Sequence, residues 1–279
     1  MIALPASVIR IISVILAAVF IPLGALTSGI DKINAPERSE TASVNVAGIG
    51  AYFRSQGIAY DGENYYFSCK TSLIKTGSDP SKAEIVNLDA IPGLLADDYG
   101  IAHIGGISYY DGRIYAGLED SKVWQHPMIG VYDAQTLEFI EAYELDPELV
   151  TRGVPFVAVD PQTGYLCCVN HSKEPDRLCI YDTANAMREV GVLMLSQSVA
   201  SIQGAEFYDG SLYAATNDET AAIYRIDEDG TVTKVLDRNL VSGSEGEGMT
   251  IVNKDGRPCI AAVDMGPLFV NAFIRYFDI

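Results

Sequence analysis

Positive charge is scarce in this chain: 19 Lys and Arg stand against 37 Asp and Glu in 279 residues, a formal net charge of −18. Phosphate binding needs a basic stripe, and its absence excludes nucleic acid and disfavours anionic lipid as a partner. Histidine is rarer still, three in all, with no H-x-x-x-H or H-E-x-x-H spacing, so a zinc protease is excluded. No G-x-S-x-G elbow occurs, and Ser244 reads as part of a Gly-rich loop. Gly48-Ile-Gly50 lacks the third glycine of a nucleotide fingerprint. None of the five cysteines forms C-x-x-C, and none precedes Cys69, so a lipoprotein-type attachment has no acceptor. They fall where small buried hydrophobes belong, and Cys179 is placed to pair across strands with Cys167 or Cys168 outside the cytoplasm. What is plentiful is apolar residues, 48% of the chain against 20% charged, enough for a full core and too apolar for disorder.

The apolar residues are unevenly spread. Arg10 is the only charge before Asp31, and 11–27 contain none. A run of about membrane-spanning length behind one positive charge predicts a signal peptide or uncleaved membrane anchor over 1–30, with the remainder extracytoplasmic, anchored or secreted. The run has no polar face at a 3.6 period, which argues against a core helix. Residues 31–42 are polar and read as a tether. The folded part is expected over 43–279.

That part repeats. Gln56-Gly-Ile-Ala-Tyr-Asp-Gly returns as Gly105-Gly-Ile-Ser-Tyr-Tyr-Asp-Gly, loosely from Pro155, as Gln203-Gly-Ala-Glu-Phe-Tyr-Asp-Gly, and from Glu247, with starts 44 to 50 residues apart. Each start is followed by a Gly-containing turn and a second strand, the Asp-Gly turns being strong hairpin signals. Third strands read IGVYD, LCIYD, AAIYR and FIRYF; fourth strands read AEIVNLD, FIEAYELD, VGVLMLS and VTKVLD. Four short antiparallel strands recurring every 44 to 50 residues describe a five-bladed, all-β propeller. The fifth repeat stops after three strands, while SVNVAGIG precedes the first without a blade, so the N-terminal strand is expected to close the ring. A Greek-key sandwich would not produce this repeat.

Aligned repeats place two rings of residues on one face of the disc. Inner-strand starts give Gln56, Gly105, Pro155, Gln203 and Glu247; second-strand ends give Lys70, Glu119, Asn170, Asn217 and Asp264, followed by Asp120, His171 and Asp218. Asn and Asp after a strand are ordinary turn residues. Converging on one mouth, Glu119, Asn170, Asn217, Asp264 and Glu247 would form an oxygen-rich calcium site. His103 and His171 lie on the same face, and a His beside Glu119 or Asp120 could serve as general base, with Glu119 and Glu247 as further catalytic candidates. Gln56, Lys70, Asp120, Gln203 and Asp218 are candidate ligand contacts. Asn170-His-Ser is a formal glycosylation sequon.

The stretch Arg54-Ser-Gln-Gly-Ile-Ala-Tyr-Asp-Gly resembles the first-blade signature of glutamine cyclotransferases, which are five-bladed propellers. That resemblance implies cyclisation of N-terminal glutamine in a channel-mouth pocket, using a glutamate on the second blade and an asparagine on the fourth. Those positions read Gly105 and Gln203 here, and Trp124 is the only tryptophan. The Glu247-Gly-Met-Thr and Gln203-Gly-Ala-Glu starts are similar to the inner strands of gluconolactonase and related lactonase propellers. This implies a Glu, Asn and Asp set holding a divalent cation against an ester or lactone carbonyl; Glu247 matches a charged ligand of that set.

Three functions are therefore expected to compete: a tethered propeller binding a small molecule, glycan or protein; a calcium-dependent lactonase- or esterase-like hydrolase; and a metal-free cyclotransferase-like enzyme with Glu247 or Glu119 as proton shuttle.

Overall fold

The computed structural model describes residue 19 and residues 21–32, 39–120, 124–169 and 174–279. Helix α1 covers 21–32, β1 is Ala42–Ala47 and the one-turn α2 is Ile49–Tyr52. Blade 1 comprises β2 (Ile58–Tyr60), β3 (Tyr65–Ser68), β4 (Leu73–Thr76) and β5 (Ala83–Asn87), and α3 (Gly93–Tyr99) crosses to blade 2. Blade 2 holds β6 (His103–Tyr110), β7 (Arg113–Glu119), β8 (Met128–Asp133) and β9 (Phe139–Glu144); blade 3 holds β10 (Ala158–Val159), β11 (Tyr165–Cys168), β12 (Arg177–Asp182) and β13 (Arg188–Met194). Blade 4 is β14 (Ile202–Tyr208), β15 (Ser211–Thr216), β16 (Ala222–Ile226) and β17 (Val232–Asp237). Blade 5 runs β18 (Glu245–Lys254), β19 (Arg257–Met265), β20 (Asn271–Asp278) and then β1.

The N-terminal strand is thus the outermost strand of the last blade, paired antiparallel to β20 from Ala42↔Tyr276 to Ala47↔Asn271. This latch hides one edge of each end of the array. One strand escapes the sequence reading: β4, four residues (LIKT) too short to show a period.

Each blade packs on both faces, so its middle strands are buried along their length: all four residues of β3 and six of seven in β7 are inaccessible. Among the described residues the core accordingly divides into five inter-blade clusters and a small one of Ala51, Met265 and Ala272 under α2. Between blades 5 and 1, for example, Ile58, Phe67 and Ile74 meet Val252, Ala261 and Ile274. Between blades 2 and 3, Ile129 and Val131 meet Val157, Leu166 and Cys179.

The recurrent glycine at the repeat start has a steric cause. The inner strands of blades 2, 4 and 5 carry a register break there, between Ile104 and Ile107, Ile202 and Gly204, and Gly246 and Met249. A Cβ at Gly248 would lie 2.8 Å from the Gly57 Cα, and one at Gly204 would lie 2.6 Å from the Gly248 Cα. Backbone meets backbone at the axis, and the Gly248 N–H donates to the Gln56 carbonyl at 2.9 Å. Blade 3 has Phe156 at that position, its Cα 3.1 Å from where a Cβ at Gly106 would lie, and the preceding Pro155, which lacks an N–H, contributes its carbonyl, accepting from the Gly106 N–H at 2.7 Å. Its inner strand shrinks to two residues. At the opposite face Asp111-Gly112, Asp209-Gly210 and Asp255-Gly256 all have positive φ at both residues, the conformation of two-residue hairpins.

All five cysteines are buried free thiols. Cys168 and Cys179 sit directly opposite across β11 and β12 without a bond, and burial pushes the Cys168 thiol well above its ordinary range.

Helix α1 lies on the outer edge of blade 5. Gly24, Thr27 and Asp31 form its buried stripe. Thr27 contacts Asn271, the Asn45 amide donates to the Ser28 hydroxyl at 3.1 Å, and Asp31 pairs with Arg275 at 2.9 Å. Glu40, at the far end of the expected tether, also pairs with Arg275, at 3.0 Å. Both ends of that segment are therefore clamped to the same arginine. No helix among the described residues is long and apolar enough to cross a membrane.

Candidate binding site at the mouth of the ring

The inner strands begin and the second strands end on one face of the disc, as the repeat alignment requires. Of the residues assigned to that face, Asn170 and His171 lie outside the described residues. The rest are brought to the mouth but do not converge on one point; most already have protein partners.

Asp264 shows this most clearly. Its side chain is buried between two arginines that are themselves buried, Arg238 on one oxygen and Arg275 on the other, the latter at 2.9 Å. Arg238 spends its remaining N–H groups on the carbonyls of Ala221 and Thr216. Asn217 accepts from the Gly246 N–H at 3.0 Å, fastening blade 4 to blade 5. Asp120 accepts three backbone N–H bonds, from Trp124, Gln125 and His126, and Asp218 accepts from Thr220, Ala222 and the Tyr224 hydroxyl. These two are loop-closing carboxylates of the kind turns employ. Lys70 points to solvent, and Gln203 meets Gly106 across the axis through its carbonyl.

Glu119 is buried at the end of β7, with one oxygen 3.0 Å from His103 Nδ1 on the paired strand β6. Its other oxygen is buried without a hydrogen-bond partner, beneath Gly153 and the Trp124 ring. His126 is a more exposed counterpart, 2.6 Å from Glu144.

Of the five residues expected to hold calcium, all but Asn170 are described. Asp264 has both oxygens committed to guanidinium groups, Glu119 faces His103, and burial raises the Glu247 carboxyl. Among the described residues no three Asp, Glu, His or Cys side chains come together to hold a metal.

Two ring members do share a cavity. Between blades 5 and 1 the mouth opens into a space of about 260 Å³. Gln56 and Ser55 reach it from the start of blade 1, Glu245 and Glu247 from the start of β18; Tyr52 of α2, Met265 and Phe269 supply apolar wall. Glu247 is 4% exposed, and burial, reinforced by the Glu245 charge and opposed by Arg238, raises its carboxyl well above the ordinary range. The shift favours the protonated carboxyl, the form that can donate a hydrogen bond into the cavity. A larger space, about 370 Å³, lies between blades 3 and 4, with Leu178, Phe207 and Ile226 inside and Asp160, Asp227 and Glu228 at its rim, but it contains no member of either ring.

Sequence reasoning reached Gln56 and Glu247 and missed Tyr52, Phe269 and both buried arginines. Arg275 stands inside the apolar strand FIRYF, where a charge in a run buried on both faces is the available signal.

Fold and site together define a five-bladed β-propeller with a small, partly apolar cavity at its mouth. No family model matches the chain. No curated protein matches it in sequence either. Among solved structures 976 chains match. One is a chain in a structure described as the crystal structure of a mitotic checkpoint complex: 8% identical, with a TM-score of 0.48 over 87% of this chain and 93% of that one. Identity that low leaves function to the site itself.

Proposed function

We propose that this chain is an extracytoplasmic, membrane-tethered propeller that binds a small molecule in the cavity between blades 5 and 1. The observation that carries the reading is Glu247, a buried carboxyl lining the same cavity as the Gln56 side chain. Two polar groups that both donate and accept, set against Tyr52, Met265 and Phe269, suit a compact ligand with one amide or acid function and an apolar body. A volume of 260 Å³ is about nine waters' share of liquid, enough for one small organic molecule. The tether rests on the charge-free run of 11–27 and on α1 docking at blade 5.

Phenylacetamide tests the site, since its amide can pair with a carboxylic acid through two hydrogen bonds. Titrated into the full chain in detergent at pH 7, it should bind at least about ten-fold more weakly to Glu247→Ala and Gln56→Ala than to the parent, the loss expected for one hydrogen bond to a buried group. Equal affinity in all three would remove the cavity reading.

A hydrolytic reading is favoured by one feature only, the His103–Glu119 pair at 3.0 Å, and neither residue lines the cavity. Glutamine cyclisation would need an acid at Gly105, where a Cβ would lie 2.5 Å from the Pro155 carbonyl oxygen. A lactone and ester screen comparing the parent with His103→Ala decides the first; pyroglutamate formation from a glutaminyl peptide decides the second.

A further inference from the structure

Large apolar side chains are displayed unequally on this molecule. On the mouth face Ile49 (71% exposed), Tyr52, Leu268 (67%) and Phe269 surround the cavity. The connection from blade 1 to blade 2 on the same face adds Leu94. The opposite face is turned by the polar Asp-Gly hairpins and exposes Tyr165 and Ile279 singly.

Leu268 and Phe269 are held out against conformational preference. Both have left-handed backbones, φ +64° and +55°, in consecutive non-glycine positions of the turn between β19 and β20. The turn is fixed at its base by Gly266 N–H to Asn271 O and by Gly48 N–H to Val270 O, at 2.9 and 2.8 Å. Strain spent on presenting two large apolar side chains to water has no return within the fold.

Helix α1 says where that face points. Gly24 abuts Ala47, Ser28 meets Asn45, and Asp31 reaches Arg275, the register partner of Ser43. The helix therefore runs antiparallel to β1: seven helical residues advance about 10 Å while β1 retreats about 13 Å. Its upstream end consequently aims at the mouth face, beside α2 and the Leu268-Phe269 turn. The outward side of its first turns is also apolar and exposed, with Ile21 and Leu26 uncovered. In sequence the charge-free run from Ile11 lies upstream of this end, and Arg275, paired with Asp31 and Glu40, fastens the helix to blade 5.

We infer that the mouth face rests on the phospholipid bilayer that receives the N-terminal run, with Ile49, Tyr52, Leu268 and Phe269 in its interface, so that the cavity opens toward lipid and admits an amphiphile from that side. The apolar residues beside the cavity are flanked by acids, Glu245 at the cavity and Asp97 and Asp98 beside Leu94, so zwitterionic lipid is the expected contact and anionic headgroups are disfavoured by a net charge of −18. This rests on the tether proposed above, and the experiment separates the two.

The full chain, reconstituted into phosphatidylcholine vesicles, is first tested for flotation with them. Tryptophan is then placed at Leu268→Trp and, as an independent position, at Ile49→Trp; Ile279→Trp, 42% exposed at the far end of blade 5, is the control, and native Trp124 is the common background. With brominated phosphatidylcholine, emission from the two mouth-face variants should fall to about half or less while the Ile279→Trp variant stays with the parent. Flotation without quenching at either mouth-face position overturns the orientation and leaves the tether standing. Quenching of Ile279→Trp alone reverses the face. Failure to float removes the tether, and the bilayer contact with it.

Discussion

Replacing Asp264 by Asn is the sharpest perturbation of the mouth, because the two roles open to this residue give opposite results. The carboxylate is 0% exposed and lies between Arg238, also 0% exposed, and Arg275, 2% exposed. Neutralising it leaves Arg238 with carbonyl partners alone, whereas Arg275 keeps Asp31 and Glu40. Removing one partner from a buried ion pair costs about 3–5 kcal/mol, because the other charge stays desolvated. In a domain of this size that lowers the melting temperature by about 10 °C. The assay is a thermal melt of the full chain in EDTA and in excess calcium. The variant should lose about 10 °C in both buffers, and Asp264→Leu combined with Arg238→Met should recover about half of the loss, since the orphaned guanidinium is then gone. A melt within about 2 °C of the parent would refute the ion-network account. So would a calcium-dependent stabilisation of the parent that the variant lacks, which would make Asp264 a metal ligand.

Glu206, between the inner strands of blades 4 and 5 and near the Thr250 hydroxyl, is raised from 4.5 to about 8 by burial. A raised acid binds its proton in the folded state, so stability is greatest below about 4.5 and is lost as pH climbs toward 8; Glu206→Gln should flatten that slope in urea titrations, gaining about 2 kcal/mol at pH 8 relative to pH 5 once partial solvent contact is allowed for. Glu247→Gln should shift stability with the same sign, raising the melting temperature above pH 7 relative to the parent; a lower value there would mean that the folded site holds Glu247 ionised. Gly248→Ala pushes a methyl against the Gly57 backbone at 2.8 Å, where no side chain can yield, and should cost about 2–3 kcal/mol by denaturant unfolding; a neutral result would show that the axis is looser than this packing.

Much of the architecture was legible because it is local. Asp-Gly has few backbone choices between two apolar runs, so the hairpins at Asp111, Asp209 and Asp255 could be read directly. The missing fourth strand of the last repeat pointed to closure by SVNVAGIG, and β1 does pair with β20, starting one residue earlier than expected. Short segments carried less: β4 is hidden in four residues, and β10 is cut to two by Pro155. Residues 33–38, 121–123 and 170–173, the last with Asn170 and His171, are outside the described residues.

The site divides in the same way. Sequence by itself determined which residues come to the mouth, because a repeat of fixed length carries each strand end back to one face. It did not determine what those residues meet there. Asp264 takes its partners from 26 residues before it on the neighbouring blade and 11 residues after it on β20. The Glu247 carboxyl is raised because the ring closes over it, and Leu268 and Phe269 are left outside because a turn is pinned at its base by Gly48. Repetition places backbones, while charge states and exposed surfaces depend on desolvation and on long-range neighbours that only the tertiary structure supplies.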